Sequence, residues 1–190
     1  MAAGPAHVPG AHTRSGNAMG RTRAGLLTGA ARAFAEHGLS GSTMQSVAAA
    51  AGVSKATLYN HFRAKDDIAR ALFGTELDRL IGAAAVLPLP QALALIADEL
   101  AVHPVLRRLA EVEPAALLAL MTVDAERWAE LTTVLADTLQ VDPDAADLLA
   151  RWLLGVILQP GRSTTRRRHA ERLAEALVSR DASLDEVSAG

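Results

Sequence analysis

Gly52-Val53-Ser54 divides two short apolar-periodic segments, and few folds accommodate that arrangement. Upstream, Ser42-Thr43-Met44-Gln45 fits a capping box, in which the Ser42 hydroxyl accepts from the Gln45 amide while the Gln45 side chain reaches back. The helix so started runs to about Ala51, where Gly52 ends it. Ser54 is then a good N-cap for another short helix through about Phe62. Two short helices joined by a tight glycine-containing turn form a helix-turn-helix. In front of it, from Arg21 to His37, Leu27, Ala30, Ala31, Phe34 and Ala35 recur at helical spacing, and Gly38 stands where a left-handed C-cap belongs. The sequence therefore predicts a three-helix domain over residues 20–65.

Beyond it the apolar residues are mostly alanine and leucine, strong helix formers, while β-branched and aromatic residues are scarce. Helices are predicted over 65–84, 91–102, 104–112, 114–121, 124–140, 143–159 and 164–179. They are punctuated by Pro88, Pro90, Pro104, Pro114, Pro143 and Pro160-Gly161. The expected fold is all-α, with a larger helical domain at 66–180. Residues 1–19, without an apolar period, read as a disordered arm, and 181–190 as a disordered tail. No fixed-period repeat argues for a solenoid.

Charge separates the two parts. Residues 1–75 hold eight Lys/Arg against three Asp/Glu, a net of +5, whereas 76–190 hold eleven against eighteen, a net of −7. The N-terminal part suits a polyanion. With no cysteine there is neither a disulfide framework nor a thiolate metal site, which fits a reducing cytoplasm. No apolar run approaches the roughly 18 residues that cross a bilayer, and the N-terminus has no signal-peptide pattern, so a cytoplasmic protein is expected. Enzyme signatures are missing: "GLSGS" puts serine where G-x-S-x-G needs its last glycine, there is no P-loop or H-E-x-x-H, and the histidines lack metal spacing. The expectation is a non-enzyme without cofactors.

On the last short helix, Leu58 and Phe62 lie four apart and face inward with Leu27, Phe34, Val47 and Ala48. Lys55, Ala56, Thr57, Tyr59, Asn60 and His61 are left to solvent. Hydroxyl, amide, imidazole and ammonium groups there are donors for phosphates and base edges, and the small Ala56 permits close approach to a major groove. Two readings fit Tyr59, the only tyrosine: a DNA contact, or a ring half-buried against the first helix with its hydroxyl at the surface.

The run "TMQSVAAAAGVSKATLYNHFRAKDDI" resembles the DNA-binding domain of the TetR (tetracycline repressor) family of bacterial regulators. The matching positions are Thr43, Val47, Ala48, Ala51, Gly52, Val53, Ser54, Thr57, Leu58, Tyr59, His61, Phe62, Lys65 and Ile68, with "AARAFAEHG" before them similar to the end of that family's first helix. The resemblance covers about residues 21–75. It implies that Thr43, Tyr59, His61 and Lys65 hold phosphates and that Lys55, Ala56, Thr57 and Asn60 lie nearest the bases. Ser42, beside Thr43, joins the expected DNA-binding set.

The resemblance further implies a homodimer paired through helices 143–159 and 164–179, and a small-molecule effector bound among the central helices. The apolar stripes of those two helices, Leu148, Leu149, Trp152, Leu153, Val156 and Ile157, then Leu173, Ala174 and Leu177, suit either a core or a partner. Candidate effector contacts are His103, Arg107, Met121, Trp128 and Trp152, in an otherwise apolar setting. Arg166, Arg167 and Arg168 read as a solvated helix start. The expected function is a ligand-responsive regulator, a repressor on a palindromic operator. The competing reading is a helix-turn-helix protein-interaction module without an effector or DNA role.

Overall fold

The computed structural model describes residues 11–188, with side chains over 22–177. Among the described residues ten helices follow one another: α1 (Ala11–His37), α2 (Met44–Ala50), α3 (Lys55–Tyr59), α4 (Lys65–Ala84), α5 (Leu89–Val102), α6 (Pro104–Val112), α7 (Pro114–Met121), α8 (Ala125–Leu139), α9 (Pro143–Leu158) and α10 (Ser163–Ser188). No strand occurs among the described residues, so the fold is all-α.

The helix limits follow the expected punctuation. Pro104, Pro114 and Pro143 each open a helix, where the missing N–H costs nothing. Asp124 and Asp142 cap α8 and α9 by accepting from Arg127 N and Ala145 N. Gly38, at φ 74°, turns the chain out of α1.

Two expectations fail at the ends. The segment 11–19, expected as a disordered arm, is helical, and α10 runs through the expected tail to Ser188. Neither stretch contains proline, and extending a nucleated helix is cheap, so absence of an apolar period does not stop it. Residues 1–10 and 189–190, the remainder of the arm and tail, lie outside the described residues.

The chain divides into two compact units, 1–72 and 73–190. The division falls inside α4, after Leu72 and not after Lys65, because Ile68, Ala69 and Leu72 are themselves buried. In the first unit α2 packs on α1 and α3 on α2. Its core is Leu26, Leu27, Ala30, Phe34, Val47, Ala48, Leu58, Phe62 and Ile68. Complete burial of a side chain such as Phe34 contributes about 1.5–3 kcal/mol.

In the second unit α5 packs against α10, α9 and α6, while α8 packs on α9 and α7 on α6. Leu93, Ile96, Leu106, Leu109, Leu117 and Leu149 are almost completely buried. No single described helix is long and apolar enough to cross a membrane. The bent pair α5–α6 has the necessary length and composition together, but its apolar residues build this core.

Arg166 corrects the reading of residues 166–168 as a solvated helix start. Its side chain is 8% exposed and its Nε and Nη2 donate to Asp98 Oδ1 at 3.0 and 2.7 Å, while Nη1 donates to the Pro160 and Gly161 carbonyls. Ala170 and Ala174, at helical spacing from it, are also buried, so the stripe that carries Arg166 is the one facing α5.

Candidate nucleic-acid interface

Local chemistry sets the geometry of α2 and α3. Thr43 is the N-cap of α2: its Oγ1 accepts from Ser46 N at 3.0 Å, and Thr43 N donates back to Ser46 Oγ at 2.9 Å. The capping box is thus one residue later than Ser42–Gln45. Gly52, at φ 69°, makes the turn, and Val53 N donates to Ala48 O. Ser54 caps α3 by accepting from Thr57 N at 3.1 Å, and its hydroxyl also meets Thr57 Oγ1 at 2.9 Å.

Leu58 and Phe62 anchor α3 from beneath, at 0% and 4% exposure. That orientation turns Lys55, Ala56, Tyr59 and Asn60 outward, with Thr57 and His61 at the margin. Tyr59 is 47% exposed, and the Lys55 ammonium stands 5.7 Å from its ring centroid. A short helix therefore presents an ammonium, a phenol and an amide on one side, a donor surface suited to phosphates and base edges.

Like Thr43 and Thr57, Ser42 and Lys65 of the expected DNA-binding residues have partners within the protein. Ser42 is 1% exposed and its Oγ donates to Gly38 O at 2.7 Å and Ala33 O at 3.2 Å, so it satisfies the end of α1 and is removed from the interface. The Lys65 ammonium, half-buried, donates to Leu39 O at 2.7 Å and Ser42 O at 3.3 Å. Sequence reasoning missed Arg32, whose Nη2 donates to Ala50 O at 2.5 Å at the end of α2; the Arg23 guanidinium lies 4.7 Å from the Phe62 ring centroid.

The candidate effector residues occupy separate environments in the second unit. His103 closes α5 and caps α6, its Nδ1 accepting from Leu106 N at 3.4 Å, with the Phe73 ring 5.9 Å away. Arg107 donates to the Ile157 carbonyl, while its Nε is buried without a partner. Trp128 donates from Nε1 to Asp147 Oδ1 at 2.7 Å and lies under Arg151. Met121 ends α7. Trp152 lines a surface groove of about 270 Å³ between α9 and α10, with Gly155, Gln159, Thr165 and His169. A larger groove of about 720 Å³, between α5 and α10, includes none of the five. Among the described residues no group of three His, Asp or Glu is placed to hold a metal ion.

His103 carries a pH dependence with a defined sign. Burial holds its imidazole below the ordinary value of 6.5, outweighing the attraction of Glu76 and Glu99; Arg79 adds to the depression. A neutral Nδ1 also accepts the α6 capping bond, which an imidazolium cannot. Folding thus favours the neutral form: its contribution is complete above the unfolded value and is lost as pH falls through the folded one. Thermal melts at about pH 7.5 and about pH 5.5 should show lower stability at the acid end. His103→Asn, which retains a capping acceptor but does not titrate, should reduce that difference; an unchanged difference would assign it to other groups.

Residues 26–72 match the family model described as bacterial regulatory proteins, tetR family. No curated protein matches the chain in sequence. Among solved structures, the TetR family repressor AlkX from a Dietzia species, implicated in biodegradation of n-alkanes, is 23% identical with a TM-score of 0.64, over 83% of this chain and 95% of that one. GusR of Salmonella enterica is 20% identical with a TM-score of 0.59, over 84% and 94%. The fatty acid degradation regulator FadR from Bacillus halodurans is 15% identical with a TM-score of 0.51, over 82% and 94%. The family match ends at Leu72, where the first compact unit ends, so it is this unit, with its capped helix-turn-helix, that is similar to the tetR family of bacterial regulatory proteins.

Proposed function

We propose that the chain is a transcriptional repressor that reads a palindromic operator as a homodimer and is released by a small apolar effector. The observation that carries the proposal is the outward face of α3, where Lys55, Ala56, Tyr59 and Asn60 are exposed over a buried Leu58–Phe62 anchor. Lys55, Ala56, Thr57 and Asn60 are assigned to base edges, and Thr43, Tyr59, His61 and Lys65 to the backbone. One short helix reads only a few base pairs, so genomic specificity requires two copies at two half-sites.

The dimer is assigned to α9 and α10. Along α9, Leu148 and Leu158 are 50% and 38% exposed, with Gly155 exposed between them. Gly155 also lines the groove that Trp152 shares with His169 of α10. An apolar effector suits an interior of Leu93, Ile96, Leu106 and Leu109, and two of the similar regulators carry names tied to n-alkanes and fatty acids.

Footprinting on the DNA upstream of the protein's own gene, with light scattering of the same sample, tests the reading. Two protected half-sites and twice the 19.9 kDa chain mass are expected. Tyr59→Phe should weaken the footprint without lowering thermal stability. Lys55→Ala should relax discrimination at one position per half-site by about 1–3 kcal/mol. A monomer that protects the same operator would refute the dimeric repressor.

A further inference from the structure

α9 and α10 carry unpaired charge of opposite sign at opposite ends of one exposed face. Along α9, Asp144, Leu148, Arg151, Gly155 and Leu158 are exposed and recur every three or four residues, the spacing of a seam for another helix. The middle of the seam is neutral, because Arg151 donates twice to Asp147 and Leu148 is apolar. Nothing lies within 4 Å of a Cβ placed at Gly155. Among the described residues the ion pairs of α9 and α10 are Arg151–Asp147, Arg166–Asp98 and Arg167–Asp98, which leaves Asp144 at the start of α9 and Arg162, Arg168 and Arg172 near the start of α10 exposed and without a salt bridge.

Thr165 and His169 line the groove that Trp152 and Gly155 share, and Arg168 and Arg172 follow them by three residues each, so these arginines border the α9 side of α10. Glu171 lines the groove on the α5 side, and with Glu175 a turn beyond Arg172 this end of the face stays net positive. Only residues 159–162 separate the end of α9 from α10. At about 1.5 Å per residue, Asp144 lies roughly 21 Å along the axis from Leu158, beyond a Debye length of about 8–10 Å, and so gains little from its own arginines.

We propose that two copies of this chain pair with their α9 helices running in opposite directions, so that Asp144 of each meets the basic start of α10 of the other. The proposal deepens the homodimer reading above and rests on it. A two-fold axis across α9 sets each end of the face against the opposite end in the partner, and every contact is made twice. With the axis along α9, Asp144 would meet Asp144 of the partner subunit and arginine would meet arginine, a juxtaposition of like charges that costs affinity. Charge selects the first arrangement, in which Leu148 and Leu158 supply apolar contact and Gly155 gives the partner helix room.

The experiment is sedimentation equilibrium of the full chain at low and high salt. Raising salt from about 0.05 to about 0.5 M should weaken the wild-type dimer about three-fold or more, because the end contacts are exposed and screened. Asp144→Asn should weaken it at low salt, and Asp144→Arg by about ten-fold or more, since the reversed charge acts at both ends. Arg168→Glu together with Arg172→Glu should have an effect of the same size. Combining these with Asp144→Arg should return the dimer Kd to within about three-fold of the wild type. A folding defect in one parent is not repaired by the other, so that recovery reports the contact itself.

A combined variant no tighter than its parents, or a tighter dimer in Asp144→Asn, would overturn the opposed arrangement. A dimer indifferent to salt and to every charge change overturns it as well and leaves the homodimer standing. A wild type that stays monomeric at all concentrations refutes the homodimer reading together with it, so the two failures are distinguishable.

Discussion

Gly29→Ala should loosen or unfold the first unit, a large effect for one added methyl group. Gly29 is buried on α1, and a Cβ built there collides with the Ala51 backbone as well as its side chain. Ala51 is the C-cap of α2 and is followed at once by Gly52 at φ 69°. No rotamer change relieves the clash, because the obstructing atoms are main chain. Overpacking of this kind costs about 2–3 kcal/mol, a fall in Tm on the order of 10–20 °C for a unit of this size.

Gly25 lies one turn earlier on the same helix, is exposed, and has nothing within 4 Å of its Cβ position. Gly25→Ala should therefore be neutral or stabilising by about 0.5–1 kcal/mol, through helix propensity alone. Circular dichroism melts of the two variants decide the point. Equal behaviour would mean that α1 and α2 do not approach as closely as Gly29 requires.

Much of the fold was legible because its punctuation is local. Proline at the first turn, aspartate at the N-cap and glycine at the C-cap each act within a few residues, which is why α6, α7 and α9 begin where the sequence predicts. The capping box of α2 shows the limit of that logic. Ser42–Gln45 satisfies the sequence pattern and Thr43–Ser46, with serine in place of Glu or Gln, does not, so what selects the second is tertiary: the Ser42 hydroxyl is drawn inward to the carbonyls of Ala33 and Gly38. Only the burial of that turn distinguishes two adjacent hydroxyl residues.

The site divides in the same way. The outward face of α3 could be read from the Leu58–Phe62 spacing, since two buried positions four apart fix the helix's rotation. The backbone partners of Arg32 and Lys65 could not, because Arg32 meets a carbonyl 18 residues away and Lys65 meets two carbonyls 26 and 23 residues away. Backbone acceptors carry no sequence signature. For Arg166 a signal was present: Arg166, Ala170 and Ala174 form a stripe at four-residue spacing, and the buried alanines mark which of three consecutive arginines turns inward. The candidate effector residues had no such constraint, and they are dispersed through the second unit.

Asp98→Ala should be among the most damaging substitutions in that second unit. Asp98 accepts from Arg166 through Oδ1 and from Arg167 through Oδ2 at 3.0 Å. Removing it leaves a guanidinium of 8% exposure with two donors unpaired, although Nη1 keeps the carbonyls of Pro160 and Gly161. Breaking a buried pair from one side costs about 3–5 kcal/mol. Arg166→Met should cost less, because the stranded carboxylate is 24% exposed and retains Arg167, itself 66% exposed. The double variant Asp98→Ala with Arg166→Met should lose less stability than the two single variants summed, since replacing both members removes the desolvated charges together. Both tryptophans, Trp128 and Trp152, lie in this unit, so denaturant unfolding followed by their fluorescence reports on it without the first. A coupling energy near zero across the cycle, or Asp98→Ala as stable as the wild type, would show that the pair between α5 and α10 is incidental to their packing.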